Sequence, residues 1–411
     1  MATSAWSRLL SSLRHPLIQA PMAGVQDSGL AVAVSRAGAL GSLPAAMLDV
    51  AGLERELHVL QRELGAHGLP YNINFFCHQP PKPDAQRDAA WRQALAPYYE
   101  QWGLAAPESA AAPSRQPFNS ELADVLGTNP PPVVSFHFGL PSPALLERVK
   151  AWGSVVLSSA TTVEEALWLR SQGVDAVIAQ GLEAGGHRGH FLRPDDDLSG
   201  QEPLLSLLSS LEAVSAGPVV AAGGLGCSAD VRQALQAGAQ AVQVGTAFLL
   251  CDEAKTPALH RRALERAAGA AHAAARQKVG AGDGDGGDDG SPRDAAAQHQ
   301  NELTSASTAL TRLFTGRPAR GLINRLMREL GPMTSAAPAF PLAGGALAPL
   351  RQRAEALGLD DFSPLWSGTR LQACRAVSAA DVVQSLMSAV DEGRAGPSSS
   401  RAGECMGGVN G

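Results

Sequence analysis

Short apolar runs alternate along the chain with longer segments in which apolar residues recur every three or four positions. Several runs consist almost entirely of Val, Ile and Ala, which is typical of parallel strands buried on both faces. We therefore predict eight strands, and the runs that indicate them are Pro16–Ala20, Ala39–Leu43, Tyr71–Phe76, Val133–Phe138, Ser154–Ser158, Ala176–Ala179, Pro218–Ala221 and Ala241–Val244.

The longer segments predict amphipathic helices between these strands. They are Gly29–Ala37, Val50–Leu64, Arg87–Trp102, Pro143–Trp152, Val163–Ser171, Leu204–Val214 and Ala229–Ala237. Eight strands that alternate with helices are the pattern of an α/β fold, the (β/α)₈ TIM barrel, and an open doubly wound sheet is the alternative. We favour the barrel because the candidate functional residues follow the strands, and barrel active sites lie at the carboxyl ends of strands.

The regular alternation stops after the eighth strand. We divide the chain into a barrel (1–257), a low-complexity insert (258–303), a mainly helical appendage over the barrel mouth (304–391) and a small, polar tail (392–411). The insert contains GAGDGDGGDDGSP, and this composition and that of the tail predict disorder because little apolar surface is available for burial. The helices predicted for the appendage are Ser307–Phe314, Ile323–Leu330, Leu347–Leu357 and Ala380–Asp391.

Composition narrows the classes of function. The 411 residues are 45% hydrophobic but only 5% aromatic, so small aliphatic side chains must pack the core. The net charge of −6 argues against a nucleic-acid partner, because such binding needs a basic surface. No apolar run is long enough to span a membrane. We expect a cytoplasmic protein, although residues 1–14 fit either a weak organelle-targeting segment or an amphipathic first helix.

Glycines follow the seventh and eighth predicted strands. Gly223 and Gly224 follow the seventh, and Gln243-Val244-Gly245-Thr246 closes the eighth. The loops after these strands form the usual phosphate site of a TIM barrel, where glycines allow backbone N–H groups to approach phosphate oxygens. Ordinary tight turns are the alternative, but two such loops at adjacent strands favour a phosphate-binding site.

Two histidines are candidates for chemistry. His187 lies in the glycine-rich loop Gln180–Gly189 after the sixth strand, where an imidazole can contact a substrate. His137 alternates with Phe136 and Phe138 in the fourth strand, so it points to the opposite face from them. It either faces the barrel mouth or is a hydrogen-bonded core residue.

Two further strand ends could contact a flat ligand. The first strand ends in Gln19-Ala20-Pro21-Met22-Ala23-Gly24, which leaves small residues and free backbone amides there. Asn74 in the third strand has an amide that can bond the edge of a heterocycle. The sequence lacks a P-loop, a G-x-S-x-G elbow, an H-E-x-x-H motif and paired metal-binding cysteines, so we expect no metal site.

Taken together, several of these segments resemble one known family. The segments PLIQAPMAG, YNINFFCH, VVSFHFGLP, AQGLEAGGHRGHF, VVAAGGLG, VQVGTAFLLCDEA, TGRPARGLINRLMRELG and PLWSGT are similar to the bacterial-type (class I) nitronate monooxygenases, once called 2-nitropropane dioxygenases. The resemblance covers roughly residues 12–257 and 304–390. AGGH alone is shared with FMN-dependent enoyl reductases, so the combination of motifs carries the specificity.

The resemblance implies a barrel that binds FMN non-covalently and reacts with O₂. His187 would be the catalytic histidine, and His137 and His187 would both contact the substrate. The positions that would bind the flavin, its ribityl chain and its phosphate are Met22, Ala23, Asn74, Gln180, Gly185, Gly223, Gly224, Gln243, Val244, Gly245 and Thr246.

The implied activity is oxidative denitrification of alkyl nitronates, with propionate 3-nitronate foremost, to a carbonyl compound and nitrite or nitrate. An FMN-dependent NAD(P)H enoyl or quinone reductase, and a flavin-binding protein without turnover, are the alternatives. One departure from the family concerns the substrate pocket: where relatives often carry tyrosines in a segment like AYPLQHY, this chain has Ala339-Phe340-Pro341-Leu342-Ala343-Gly344. The sequence leaves open whether the protein is a monomer or a homodimer.

Overall fold

A computed structural model describes residues 3–82, 84–107, 115–194, 197–280 and 308–395. Most of the predicted insert (from residue 281 to 303) and the predicted tail from residue 396 onward lie outside these ranges. Among the described helices, none combines the length and the apolar character needed to cross a bilayer.

Eight parallel strands form the centre of the molecule. They are β1 (Leu17–Gln19), β2 (Gly41–Pro44), β3 (Tyr71–Phe76), β4 (Val133–His137), β5 (Val155–Ala160), β6 (Ala176–Gln180), β8 (Val219–Ala222) and β9 (Ala241–Val244), whereas the two-residue β7 (Gly186–His187) lies outside this sheet. The order across the sheet is β1-β9-β8-β6-β5-β4-β3-β2. A parallel bridge between Ile18 and Leu40 joins the two edges. The sheet is therefore closed, which confirms the predicted barrel.

Helices surround the barrel and extend from it. They are α1 (Ala5–Ser12), α2 (Ser28–Arg36), α3 (Val50–Glu63), α4 (Ala85–Gln101), α5 (Ser120–Thr128), α6 (Pro143–Ala151), α7 (Val163–Ser171), α8 (Leu204–Ala213), α9 (Ser228–Gln236), α10 (Ala258–Gly280), α11 (Arg325–Leu330), α12 (Ala343–Ala356) and α13 (Ala379–Ala395). The main core lies between the strands and the outer helices and contains mostly Leu, Val and Ala. Small aliphatic residues fill this layer because they interdigitate without bulky rings.

The first helix closes the bottom of the barrel. Trp6 and Leu9 of α1 are buried in one cluster with Val133, Val155 and Ala241, which begin or lie near the start of their strands. The Trp6 indole N–H donates to Oε1 of Gln240 at 2.6 Å. The amphipathic pattern of this segment is therefore used for packing within the fold.

The connection between β3 and β4 holds two helices with different partners. We predicted only α4 there, as a barrel helix. Instead, α5 packs in the barrel layer through Leu122 and Leu126, whereas α4 packs on the appendage. The α4 ties to the appendage include a hydrogen bond from the Trp91 indole N–H to the carbonyl of Ala343 at 3.0 Å and one from the Tyr99 hydroxyl to that of Ala346 at 2.7 Å.

The helix predicted at Ser307–Phe314 is wrong. Thr308–Thr311 form a strand, β10, which pairs antiparallel with β11 (Ala319–Leu322), and β11 in turn pairs with β7. The apolar residues of this stretch predict a helix locally, but the long-range strand pairing decides its conformation. The resulting three-stranded sheet fixes His187 opposite Ala319 at the mouth of the barrel.

Two helices correct the predicted segment boundaries. The insert predicted from residue 258 begins instead with α10, whose Ala263 and Leu264 are buried against Leu322 and Leu371. The final helix, α13, which we assigned to the appendage, packs with α2 and α9 in the barrel layer. The appendage is thus inserted between β9 and the last helix of the barrel.

Candidate active site

One cavity opens at the carboxyl ends of the barrel strands and holds every candidate residue from the sequence. It encloses about 1390 Å³, counting its opening to solvent. The thirteen residues that meet there are Met22, Ala23, Asn74, His137, Gln180, Gly185, His187, Gly223, Gly224, Gln243, Val244, Gly245 and Thr246. Residues separated by more than 200 positions converge because parallel strands place all their carboxyl ends on one face of the barrel.

Backbone N–H groups converge after β8 and β9. Gly223 and Gly224 have φ angles of +113° and +65°, a conformation that side chains other than glycine rarely adopt. Among the described residues, none accepts a hydrogen bond from the N–H groups of Gly223, Gly224, Gly245 or Thr246. These donors border the cavity, so they can bind an anion such as a phosphate.

The backbone turn at Ser367-Gly368 packs directly on the loop after β6. A Cβ atom at Gly185 would lie 2.4 Å from the backbone nitrogen of Gly368, so only glycine fits at position 185. The N–H of Gly368 donates to Oγ1 of Thr246 at 2.9 Å. Thr246 thus joins the end of β9 to the appendage and keeps its own hydroxyl proton for a ligand or a neighbour.

Gln180 and Arg188 shape the glycine-rich loop from inside. The Gln180 side chain donates to the carbonyl of His187 at 2.9 Å and accepts from the N–H of Gly189 at 2.8 Å. Arg188 is fully buried and donates to the carbonyls of Gln180 and Gly181. Because both polar atoms of the Gln180 amide already have partners, its main contribution here is to hold the loop.

His187 lies at the centre of an aromatic pocket. Its ring centroid is 5.3 Å from that of Phe340 and 5.4 Å from that of Trp366, and its Nε2 lies 2.9 Å from Oγ1 of Thr315. Burial holds the pKa of His187 well below its usual value, and the positive charge of Arg115 lowers it further. The imidazole is therefore neutral at physiological pH. Its Nδ1 has no hydrogen-bond partner among the described residues.

His137 contacts the loop that carries His187. Its Nδ1 lies 2.5 Å from Oγ of Ser159, and its Nε2 lies 3.2 Å from the carbonyl oxygen of His187. Because a carbonyl only accepts, Nε2 carries the proton and Nδ1 accepts from the serine hydroxyl. Burial lowers the pKa of His137 to about 3, so this ring is also neutral.

Asn74 and Gln243 both line the cavity with side-chain amides. The Asn74 Nδ2 donates to Oγ of Ser135 at 2.9 Å. The Gln243 Oε1 is buried and accepts no hydrogen bond from any described residue. A buried acceptor without a donor costs about 1–3 kcal/mol, so a ligand that supplies a donor would relieve this cost. Met22 and Ala23 line the same cavity.

The structure adds site residues that the sequence reasoning missed. They are Phe76, Arg115, Ser159 and Glu183, which line the cavity, and Thr315, which contacts His187. The sequence could have indicated two of them: Ser159 directly follows a predicted buried strand, and Thr315 is the first residue of the TGRPARG segment. Arg115 had no such signal, because it lies in an Ala-, Pro- and Ser-rich stretch whose path only the fold determines. In the described part of the chain, no cluster of His, Cys, Asp and Glu could hold a metal.

The closed barrel, the glycine loops and the paired neutral histidines together define an enzyme of the TIM-barrel class. The model of the nitronate monooxygenase family matches residues 7–281 and 287–389, and the chain belongs to this family. The nitronate monooxygenase of Pseudomonas aeruginosa is 35% identical over 94% of this chain and 98% of its own length. That of Paraburkholderia phytofirmans is 36% identical over 92% of both chains.

A solved structure is similar over the same extent. A nitroalkane oxidase from Streptomyces ansochromogenes matches with a TM-score of 0.75 and 35% identity, over 95% of this chain and 99% of its own. The match includes the barrel and the appendage. These findings confirm the family that the sequence motifs indicate and, with it, the assignment to the oxidoreductases.

Proposed function

We propose that this protein is an FMN-dependent nitronate monooxygenase that converts an alkyl nitronate and O₂ into a carbonyl compound and nitrite or nitrate. Propionate 3-nitronate is the substrate that we place first. The observation that carries the proposal is the convergence of all thirteen candidate residues on one cavity in a chain of this family. A nitronate is an anion, and the cavity offers it hydrogen-bond donors and positive charge.

The residues present fit FMN. The free N–H groups of Gly223, Gly224, Gly245 and Thr246 suit its phosphate. The unpartnered Oε1 of Gln243 needs a donor, which the hydroxyl and imide groups of a flavin can provide. When bound, FMN would accept electrons from the nitronate and react with O₂. The protein would position the substrate and manage the charge and the protons around it.

His187 is suited to either of two proton arrangements. The Thr315 hydroxyl can accept from Nε2–H while it donates to the carbonyl of Arg317 at 3.3 Å, which leaves Nδ1 as a free base for a neutral nitroalkane. The same hydroxyl can instead donate to Nε2, which places the proton on Nδ1 as a donor to an anionic nitronate. A neutral imidazole supports both functions because it has one donor and one acceptor.

His137 would act by holding His187. Both of its ring nitrogens have partners within the protein, and one of these partners is the backbone of His187. We therefore propose that its contact with the substrate occurs through the ring edge that lines the cavity, and that its hydrogen bonds fix the loop. Gly189 has to be glycine for this contact, since a Cβ there would lie 2.8 Å from Cε1 of His137.

Oxygen consumption tests the proposal. The purified, FMN-loaded protein should consume O₂ and release nitrite when propionate 3-nitronate is added, and His187→Asn should lose most of this activity. His58→Asn is the matched control, because His58 is exposed on α3. Absence of nitronate-dependent O₂ uptake, with bleaching of the flavin by NADH or NADPH instead, would favour a reductase. Full activity in His187→Asn would refute the role of His187.

A further inference from the structure

Arg115 brings a positive charge into the substrate side of the cavity. It belongs to the segment that leads from α4 back to the barrel, and the N–H of nearby Phe118 fixes this segment to the carbonyl of Phe76 at 2.8 Å. The Arg115 guanidinium carbon lies 5.6 Å from the ring centroid of Phe340, and the same ring contacts His187. Arg115 and His187 therefore both contact Phe340, and both line the cavity.

No acidic side chain neutralises this guanidinium within the described part of the chain. Its Nε is buried and has no hydrogen-bond partner there. Glu183, an acid that lines the cavity, is already engaged by the N–H of Leu204 at the start of α8. The charged group that affects Arg115 most is another cation, Arg351. Arg115 is only partly exposed, and a cation that is partly removed from water without a counter-ion is unfavourable, so an anion that arrives with the ligand would stabilise it.

The walls around Arg115 strengthen any ion pair formed there. Phe76 lines the cavity, and Phe138 and Phe340 pack against it with ring centroids 4.7–6.2 Å apart, so apolar surface backs this side of the cavity. The guanidinium of Arg317 lies 4.0 Å from the centroid of Phe138 and adds positive potential. Apolar walls exclude water and lower the local dielectric, which strengthens a charge pair. Phe340 also offers no hydroxyl, so recognition of a polar substrate group has to come from another residue.

We propose that Arg115 is a specificity-determining residue that binds a second anionic group of the substrate, a carboxylate at the end of the carbon chain opposite the nitronate. The guanidinium fork matches a carboxylate through two parallel hydrogen bonds. The nitronate end would lie at His187 and the carboxylate end at Arg115, with the aromatic rings along the carbon chain. The inference rests on the proposed function and names the substrates that this chain selects.

Paired substrates test the inference. We would measure O₂ uptake with propionate 3-nitronate and with a neutral alkyl nitronate, propyl 1-nitronate, for the wild type, Arg115→Met and Arg115→Lys. Arg115→Met should lower kcat/KM for the carboxylated substrate roughly 10- to 100-fold, mainly through KM, and change the value for the neutral one less than about threefold. Arg115→Lys should be intermediate, because it keeps the charge but loses the fork.

A binding experiment separates this inference from the proposed activity. Succinate resembles propionate 3-nitronate in shape and carries two anionic ends, whereas butyrate carries one. The FMN-loaded wild type should bind succinate more tightly than butyrate by calorimetry, and Arg115→Met should remove the difference. If this holds without nitronate turnover, the anion site stands and the proposed function fails.

A control variant removes one arginine elsewhere. Arg232→Met changes the net charge equally, and Arg232 is exposed on α9. It should leave both the substrate preference and the succinate preference intact. Equal losses for both substrates in Arg115→Met, or no loss for either, would overturn the assignment of Arg115.

Discussion

At the scale of single residues, the site depends on positions where the backbone comes very close to a neighbour. Gly185, Gly189 and Gly368 each leave less than 3.0 Å between an added Cβ and a neighbouring atom. Real Cβ atoms do not tolerate such distances, so each substitution would move a neighbouring backbone or a histidine. The glycines thus set the shape of the cavity, and the polar side chains supply its chemistry.

Gly185→Ala should reduce flavin binding without unfolding the barrel. The new methyl group would collide with the backbone of Ser367 and Gly368 and so displace the turn that caps the cavity. We expect the purified variant to contain substantially less flavin per polypeptide, as measured by absorbance. Gly269→Ala is the matched control, because it adds the same methyl group to α10 with nothing within 4 Å. Equal flavin content in both variants would contradict this explanation.

Most of the candidate site was predictable from residues that follow buried strand runs. Gly223 and His187 follow such runs and Gln243 lies near the end of one, and the closed barrel brings the three together. Arg115 enters the site through long-range packing against Phe340, which local periodicity does not encode. The same reason explains the strand at Thr308–Thr311, whose pairing with Ala319–Leu322 outweighs the local pattern.

At the scale of secondary-structure elements, the two helices between β3 and β4, α4 and α5, pack against different parts of the molecule. The helix nearer β4, α5, completes the barrel layer, and α4 supports the appendage that carries Phe340. Leu95 in α4 and Leu126 in α5 are both fully buried. The two leucines therefore offer a comparison between damage to the barrel and damage to the substrate side.

Leu95→Ala and Leu126→Ala should destabilise the protein to a similar degree but differ in their effect on substrate. Each removes a buried side chain, which costs roughly 2–5 kcal/mol of unfolding free energy and can be measured by urea denaturation. Only Leu95→Ala should raise KM for the nitronate, because α4 packs against Ala337 and Ala343 on either side of Phe340. A raised KM in Leu126→Ala as well would show that general loosening, and not the appendage, is responsible.

At the scale of the whole molecule, several histidines are held neutral by burial. Burial lowers the pKa of His137 to about 3 and those of His78 and His260 to about 4. The unfolded chain, where histidine titrates near pH 6.5, binds more protons than the folded chain below that pH. Stability contributed by these groups is therefore present above about pH 6.5 and is lost as the pH falls toward about 4.

The free energy of unfolding should therefore be lower at pH 5 than at pH 7. Each such histidine contributes on the order of 1–2 kcal/mol to that difference. Urea denaturation at the two pH values should show a smaller difference in the free energy of unfolding for His260→Gln, because glutamine does not take up a proton in this pH range. His58→Gln, at an exposed position, should keep the wild-type difference. An unchanged pH effect in His260→Gln would rule out its contribution.

The appendage contains chain from two distant places: α4, before the fourth barrel strand, and residues 308–378, after the last one. It is consequently not a module that can be cut out or transplanted as one continuous piece. A chimaera that takes only residues 308–378 from a relative would pack that segment against the original α4. The hydrogen bonds that Trp91 and Tyr99 donate to the backbone of this segment would then have to form with a different sequence. Recombinants between relatives should fold and stay active only when α4 and residues 308–378 come from the same parent. The two segments are therefore expected to be inherited as a unit.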